Sequence, residues 1–164
     1  MPKSLNLNSD VSSIRAVFFD FDGVFTDNNV YLTDQGSELV RCSRYDGYGL
    51  QYLRSRSIHT AIISSETVPL AALRAKKLGI PCFQPVTDKL SFALGYLRKL
   101  EMSLSELCFM GNDINDLSLL QVCAFPVVPS DAHHSLIDSH FFMTSAKGGQ
   151  GCVRELCDNF AKLS

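Results

Sequence analysis

Short apolar runs alternate along this chain with longer amphipathic stretches, and that alternation restricts the folds open to it. The first run, Arg15-Ala-Val-Phe-Phe19, has no polar alternation, which is typical of a strand buried on both faces of a parallel sheet. Similar runs recur at His59–Ile63, Leu107–Met110 and Ala124–Val128. Strands separated by helices predict an α/β fold, in which a Rossmann-like parallel sheet is flanked by helices through right-handed crossovers.

Turn and cap signals divide the rest of the chain into elements. Apolar residues on both sides of Thr33-Asp-Gln-Gly36 predict a β-hairpin soon after the first strand. Thr87 is the predicted cap of a helix that ends near Leu100, and Gly79 is predicted to close the helix before it. The remaining predictions are short strands at 81–84 and 140–143, and helices at about 47–56, 70–78, 114–121 and after Gly148-Gly-Gln-Gly151.

Length and composition limit the domain organisation. With 164 residues and a net charge of −2, the chain has room for about one domain and no basic excess that would predict nucleic-acid binding. It lacks the ~20-residue apolar stretch of a membrane span and the apolar core of a signal peptide. We expect a flexible N-terminal leader at 1–13 and one domain at 14–164. The six cysteines show no zinc-type spacing, which favours reduced thiols and a cytoplasmic location.

Two carboxylates follow the first predicted strand directly. Asp20 and Asp22 lie two residues apart, a spacing that puts side chains on the same face of an extended chain. Open α/β sheets bind ligands at the carboxyl ends of their strands. Adjacent carboxylates at such an edge are unfavourable unless a cation or a proton compensates them. Taken alone, the pair is also explained as an ordinary acidic turn at the end of a strand.

The ends of the other predicted strands supply further polar groups. Ser64-Ser65-Glu66 follows the second long strand, and Gly111-Asn112-Asp113 follows the third, with Asp116 beyond. Lys89 falls in the first turn of a helix, where the helix dipole disfavours a cation, so we expect it to contact a negative group. Each residue alone is equally well explained as a helix cap or a solvated side chain. Their joint position at strand ends favours a common site.

This set of residue types is suited to phosphoryl transfer. Asp20 would attack phosphorus as a nucleophile and form an aspartyl-phosphate. Asp22 would protonate the leaving oxygen and later deprotonate the hydrolytic water. A magnesium ion would let the anionic nucleophile approach an anionic phosphate. The Ser64 hydroxyl and the Lys89 ammonium would neutralise the phosphoryl oxygens.

The segment Asp20-Phe-Asp-Gly-Val-Phe-Thr-Asp27 resembles the first motif of the haloacid dehalogenase (HAD) superfamily of phosphatases. Ser64 matches the second motif of that superfamily, Lys89 the third and Gly111-Asn-Asp-Ile-Asn-Asp116 the fourth. The resemblance extends over about residues 14–160. It implies a HAD-like parallel sheet with a β-hairpin after the first strand and no large cap domain.

The hairpin and the segments Tyr45-Asp-Gly-Tyr-Gly49 and Gly148-Gly-Gln-Gly-Cys-Val-Arg-Glu155 are similar to those of the capless branch of this superfamily. That branch contains phosphatases of octulosonate 8-phosphate and of nonulosonate 9-phosphates, in lipopolysaccharide or sialic acid biosynthesis. It also contains the phosphatase-like domains of acylneuraminate cytidylyltransferases, which this chain resembles as well. The resemblance therefore implies an acidic sugar phosphate as substrate. It also implies a homotetramer in which the hairpins form a barrel and neighbouring subunits close each active site.

The resemblance implies a magnesium ion bound by the Asp20 side chain, the Asp22 carbonyl and a side chain of the fourth motif. That motif usually begins Gly-Asp-Asp, so Asn112 takes the ligand position here with one negative charge fewer. Asp113 or Asp116 would then compensate. The residues implied to bind substrate are Ser43, Asp46, Gly47, Ser65, Glu66, Arg74 and Lys77.

The second motif departs from the octulosonate enzymes, which usually have Thr-Gly-Arg where this chain has Ser64-Ser65-Glu66. A glutamate at that position, together with a lysine matching Lys77, is similar to the nonulosonate branch. The alternative explanation of Glu66 is an acid placed favourably at a helix N-terminus.

Two other functions remain open at this point. One is a catalytically weak regulatory or oligomerisation module associated with a sugar nucleotidyltransferase, which the loss of charge at Asn112 would fit. The other is a phospho-accepting receiver domain, which the serine after His59–Ile63 disfavours because no acceptor aspartate follows that strand.

Overall fold

The computed structural model describes residues 11–137 and 141–162. Six parallel strands form one sheet in the order β5-β4-β1-β6-β7-β8, which confirms the predicted fold class. Two further strands, β2 and β3, pair antiparallel as a separate hairpin. The strands are β1 Ala16–Phe19, β2 Tyr31–Leu32, β3 Glu38–Leu39, β4 His59–Ile63, β5 Cys82–Phe83, β6 Leu107–Met110, β7 Phe125–Val128 and β8 Phe142–Met143.

Helices cover both faces of the six-stranded sheet. Their bounds are α1 Tyr45–Ser55, α2 Leu70–Leu78, α3 Lys89–Lys99, α4 Leu117–Leu120, α5 His134–Ile137 and α6 Cys152–Lys162. On one face, Val17 and Phe19 of β1 belong to a core with side chains of α1, α2 and α6. On the other face, Ala16 and Phe18 belong to a second core with side chains of α3, α4 and α5. Burial on both faces explains why β1 has no polar alternation.

Several element boundaries differ from the sequence predictions for local reasons. Helix α1 begins at Tyr45, two residues before the predicted start. Asp88, and not Thr87, caps α3, because its carboxylate accepts hydrogen bonds from the main-chain N–H and the hydroxyl of Ser91. The helix predicted at 114–121 divides into a 3₁₀ turn at Ile114–Asp116 and α4. Gly79 closes α2 as predicted, in the left-handed conformation with φ 70°.

The β2–β3 hairpin projects from the segment that follows β1. An antiparallel bridge between Thr26 and Cys42 and an ion pair between Arg41 Nε and Asp27 Oδ2, 3.1 Å apart, hold its base. Large apolar side chains on it are exposed: Val30, Tyr31, Leu32 and Leu39. Within the described part of the chain, no helix is long and apolar enough to span a membrane.

Two predictions fall partly outside the described residues. Residues 1–10 of the predicted leader are not described, whereas Val11, also within it, is buried in the core and its carbonyl accepts a hydrogen bond from the Ile14 N–H. The described part of the last predicted strand, 140–143, contains β8, and His140 lies outside the described residues.

Candidate active site

The first strand places Asp20 at the carboxyl edge of the sheet. The Asp20 N–H donates to the carbonyl of Met110 at 2.9 Å, so the chain is still held by β6 where the carboxylate begins. Asp20 is 5% exposed and Phe21 is buried in the core, as the spacing predicts, while Asp22 is half-buried. The two acids therefore differ in environment: Asp20 lies inside the sheet edge, and Asp22 lies at its surface.

Lys89 joins two buried carboxylates at this edge. Its Nζ lies 2.7 Å from Asp20 Oδ1 and 2.6 Å from Asp116 Oδ1, and its side chain is 0% exposed. The second oxygen of Asp116 accepts the main-chain N–H groups of Asn112 at 2.9 Å and Asp113 at 3.3 Å. Asp116 thus connects Lys89 to the loop after β6. The sequence reasoning did not include Asp116 among the catalytic residues, although a buried lysine at a helix start already required anionic partners.

The charges at this site do not balance. Burial, followed by the charge of Asp116, raises the pKa of Asp20 to about 7 against the opposing effect of Lys89. Burial alone would lower the pKa of Lys89, but the carboxylates of Asp20 and Asp116 outweigh it and raise that pKa. Burial and the nearby Glu66 raise the pKa of Asp22. One ammonium among these carboxylates leaves a negative excess that a cation would relieve.

The loop after β6 presents Asn112 and turns Asp113 away. Asn112 is 7% exposed, and its side chain contacts Gly23 so closely that a Cβ on Gly23 would overlap it. Gly23 has φ 77°, a conformation that glycine adopts without strain. Asp113 is exposed, and its Oδ1 accepts the N–H of Ile114 at 2.7 Å as a cap of the following 3₁₀ turn. The structure therefore brings Asn112, and not the Asp113 carboxylate, against the segment that follows Asp20.

The residues present fit a magnesium ion. No group of three or more His, Cys, Asp or Glu side chains within the described ranges forms a metal cluster. The expected donors are instead oxygen atoms of mixed type: the Asp20 carboxylate, the Asp22 carbonyl and the Asn112 amide. Hard divalent cations accept such oxygen donors. One Lys89 ammonium shared by the buried carboxylates of Asp20 and Asp116 is the observation that supports a further cation there.

Ser64 lies at the end of β4 and is 1% exposed. Its Oγ accepts the N–H of Glu66 at 3.2 Å, so its own proton can be donated elsewhere. A cavity of about 260 Å³ is lined by apolar side chains and by Asp22, Asn28, Glu38 and Glu66, and no lysine or arginine of the described residues lines it. The Ser65 hydroxyl lies 3.5 Å from Asn115 Nδ2, where the loops after β4 and β6 meet.

A second depression lies between α1 and α2 and has the opposite charge. It has a volume of about 320 Å³ and is lined by Arg44, Gly47, Tyr48, Gln51, Arg74 and Lys77. Arg74 Nη2 donates to the carbonyl of Ser43 at 2.8 Å. Three of the residues implied to bind substrate, Gly47, Arg74 and Lys77, therefore line one basic groove, while Glu66 faces the acidic cavity.

Asp46, also implied to bind substrate, lies elsewhere. It is 0% exposed in the first turn of α1, and its Oδ1 accepts the N–H of Arg154 in α6 at 3.2 Å. Its Oδ2 and the Nε of Arg74 are buried without hydrogen-bond partners in the described part of the chain. Asp46 links α1 to α6 through this hydrogen bond. Because it is buried, its carboxylate is not available to a ligand at the surface.

Asp46 is expected to make stability depend on pH. Burial raises its pKa to about 7 from 3.8, so the folded state keeps a proton that the unfolded state loses as pH rises through that interval. The carboxylate therefore destabilises the fold progressively from pH 4 to pH 8, by at most about 4 kcal/mol. We expect Asp46→Asn, which keeps an Oδ1 that can accept the Arg154 N–H, to gain about 1–2 kcal/mol in urea unfolding at pH 8 and little at pH 4. An equal effect at both pH values would contradict this prediction.

No protein-family model matches the chain. It is 34% identical over 148 residues to 3-deoxy-D-manno-octulosonate 8-phosphate phosphatase of Yersinia pestis, covering 90% of this chain and 79% of that protein. The crystal structure of a phosphatase of the same name from Moraxella catarrhalis, in complex with magnesium, phosphate and KDO, has a TM-score of 0.89 at 28% identity, covering 96% of this chain and 91% of that one. A structure from Legionella pneumophila, assigned to HAD subfamily III A hydrolases, has a TM-score of 0.92 at 30% identity and covers 96% and 87%.

The parallel sheet, the hairpin after β1 and the strand-end group around Asp20 define a HAD-superfamily protein, with no large cap domain in the part of the chain that the structure describes. This assignment agrees with the resemblance of the motifs. Within that superfamily, the chain belongs to the family of the 3-deoxy-D-manno-octulosonate 8-phosphate phosphatases.

Proposed function

We propose that this protein is a magnesium-dependent phosphatase that hydrolyses the terminal phosphate of an acidic sugar phosphate. The observation that carries the proposal is the buried Asp20–Lys89–Asp116 group at the carboxyl edge of the sheet. A carboxylate held by a lysine at this edge, next to a second, half-buried acid, supplies a nucleophile and a proton donor. The family membership supports the same reaction class.

In the proposed reaction, an Asp20 carboxylate oxygen attacks phosphorus, and the bond from phosphorus to the sugar oxygen breaks. Asp22, whose raised pKa suits a proton donor, gives its proton to that leaving oxygen. It then takes a proton from water, whose oxygen attacks the aspartyl-phosphate and releases inorganic phosphate and the Asp20 carboxylate. Ser64 and Lys89 donate hydrogen bonds to the phosphoryl oxygens throughout.

Asp20, the Asp22 carbonyl and Asn112 would hold the magnesium ion. When bound, the ion supplies positive charge that offsets the repulsion between the acids of the site and the phosphate. Asp113, which caps the 3₁₀ turn, and Asp116, which holds Lys89 and two N–H groups, would compensate for the neutral Asn112 only through their charge.

The two depressions support a division of substrate recognition. The carboxylate of a sugar acid would be repelled by the cavity that Asp22, Glu38 and Glu66 line, so the neutral hydroxyl-bearing part of the sugar is the better occupant there. Arg74 and Lys77 in the basic groove would bind the carboxylate, from the same subunit or a neighbouring copy. Ser43, Ser65 and Gly47 would contribute contacts at the margins of these surfaces.

A phosphate-release screen with and without magnesium tests the proposal. It compares two substrate classes. Octulosonate 8-phosphate is the substrate for which the relatives are named, and nonulosonate 9-phosphates are the substrates that Glu66 predicts. We expect release from at least one of the two classes, and loss of release when EDTA removes the metal. Release from octulosonate 8-phosphate alone would contradict the interpretation of Glu66 as a residue typical of the nonulosonate branch. No release from any of them by folded protein would contradict the enzymatic proposal and favour the regulatory module.

The exposed hairpin supports a homotetramer. Four large apolar side chains in this hairpin, three on its two short strands and Val30 just before them, are exposed to solvent in the single chain, and association with other copies would bury them. We also propose a cytoplasmic location for this chain of 18.1 kDa, and no nucleic-acid or membrane partner. Solution mass tests it: we expect about four chains per particle, and a stable monomer would contradict the assembly.

A further inference from the structure

The segment that joins β8 to α6, residues 144–151, crosses the loop that follows β1. We call residues 144–151 the strap and residues 20–28 the catalytic loop. The N–H of Gly149 donates to the carbonyl of Val24 at 3.0 Å, and the Cys152 thiol, directly after the strap, lies 3.2 Å from the same oxygen. A Cβ on Gly148 would overlap the carbonyl oxygen of Gly23. The strap therefore contacts the catalytic loop backbone to backbone.

Two carboxylates fix the strap from its other side. The Glu155 carboxylate, in the first turn of α6, accepts the N–H of Ser145 through Oε1 and the N–H of Ala146 through Oε2, both at 2.8 Å. Asp131 Oδ1 accepts the N–H of Gly148 at 2.9 Å. Charge-assisted hydrogen bonds of this length are stronger than neutral ones. Three of the strap's N–H groups thus depend on side chains that belong to other segments.

The contacts place three segments in layers at the proposed metal site. Gly23 lies between the Asn112 side chain and Gly148, and a Cβ at either glycine would overlap its neighbour. The Asp22 carbonyl, a proposed magnesium donor, lies one peptide before the Gly23 carbonyl that Gly148 meets, so a displacement of the strap would reach the segment that carries this donor. Interiors packed at this density transmit small displacements.

We propose that the strap sets the separation of the Asp22 carbonyl and the Asn112 amide, and that Glu155 is the positioning residue that holds the strap in place. The metal part of this inference rests on the proposed function. Glu155 is not among the proposed metal donors; it acts through Ser145, Ala146 and the glycines that follow. In this proposal, the motif Gly148-Gly-Gln-Gly-Cys-Val-Arg-Glu155 does more than form a turn before a helix, because it positions the proposed metal donors.

Magnesium titration of the metal-free protein by calorimetry tests the inference without turnover. We expect Glu155→Gln, which replaces one accepting oxygen with a donating amide NH₂ group, and Gly148→Ala to weaken the Kd for Mg²⁺ by at least fivefold. The matched controls are Glu101→Gln, an exposed acid, and Gly95→Ala in α3, where an added Cβ meets nothing within 4 Å. Both controls are expected to keep the Kd within twofold.

Amide hydrogen exchange on the metal-free protein gives an independent readout. The N–H groups of Val24 and Phe25 donate to the Phe21 carbonyl, and we expect them to exchange at least tenfold faster in Glu155→Gln while amides in the centre of α3 are unchanged. A lower Tm with unchanged Kd, or with faster exchange throughout, would show a merely structural role and overturn the inference. If the unaltered chain binds no Mg²⁺, the proposed function fails, and exchange in the catalytic loop still decides the role of Glu155.

Discussion

Replacing Asp20 with asparagine is expected to abolish phosphate release, with kcat reduced by about 10⁴-fold or more. The amide cannot form the aspartyl-phosphate, and it also removes one charged donor of the proposed metal site. Its shape and its position beside Lys89 are retained, so the loss would report on chemistry and not on packing. The measurement is initial-rate phosphate release over a range of magnesium concentrations, with the substrate found in the screen.

The fold is expected to tolerate this substitution. Because the pKa of Asp20 is raised to about 7, its ionised form destabilises the metal-free fold progressively as pH rises from about 4 to 7. Asp20→Asn should therefore be at least as stable as the unaltered chain at pH 8. Glu101→Gln serves as the exposed control and should keep full activity. A lower Tm at pH 8 would contradict the stability prediction, and an active Asp20→Asn would contradict the assignment of Asp20 as nucleophile.

The sheet and its polar edge follow from short-range sequence information. A doubly buried strand requires apolar residues on both faces, so β1, β6 and the apolar residues 61–63 of β4 can be found in the sequence. Parallel strands bring the residues after them to one edge of the sheet. This is why Asp20, Ser64 and Asn112 could be predicted from the sequence to lie at the same edge of the sheet. Lys89 could be predicted as part of the site because its position at a helix start is electrostatically unfavourable unless an anion compensates it.

Contacts that depend on long-range packing could not be predicted in the same way. Lys89 pairs with Asp116 and not with Asp113 because of the 3₁₀ turn. In this turn, the Asp113 carboxylate caps the N–H of Ile114, and the Asp116 side chain faces inward. The burial of Asp46 follows from the packing of α1 on α6, about 108 residues apart in sequence. Neither arrangement has a local pattern of residues that distinguishes it.

Removing the charge of Lys89 is expected to be the most destabilising change at this site. Lys89→Met keeps a side chain of similar length but leaves Asp20 and Asp116 buried without the ammonium that lies 2.7 and 2.6 Å from them. Breaking a buried ion pair by removing one partner costs about 3–5 kcal/mol. We expect a loss of that size in urea unfolding at pH 8, together with loss of phosphate release.

The pH dependence distinguishes this electrostatic cost from a packing defect. Below pH 5, a folded variant can protonate its buried carboxylates, so the loss of stability relative to the unaltered chain should shrink as pH falls. Lys99→Met, an exposed lysine at the other end of α3, is the matched control and should change stability by less than about 0.5 kcal/mol. Adding Asp116→Asn to Lys89→Met removes one of the two uncompensated carboxylates and should recover part of the loss. A cost that is independent of pH and unchanged in the double variant would mean that Lys89 contributes through packing alone, and its role as the counter-charge of Asp20 would be wrong.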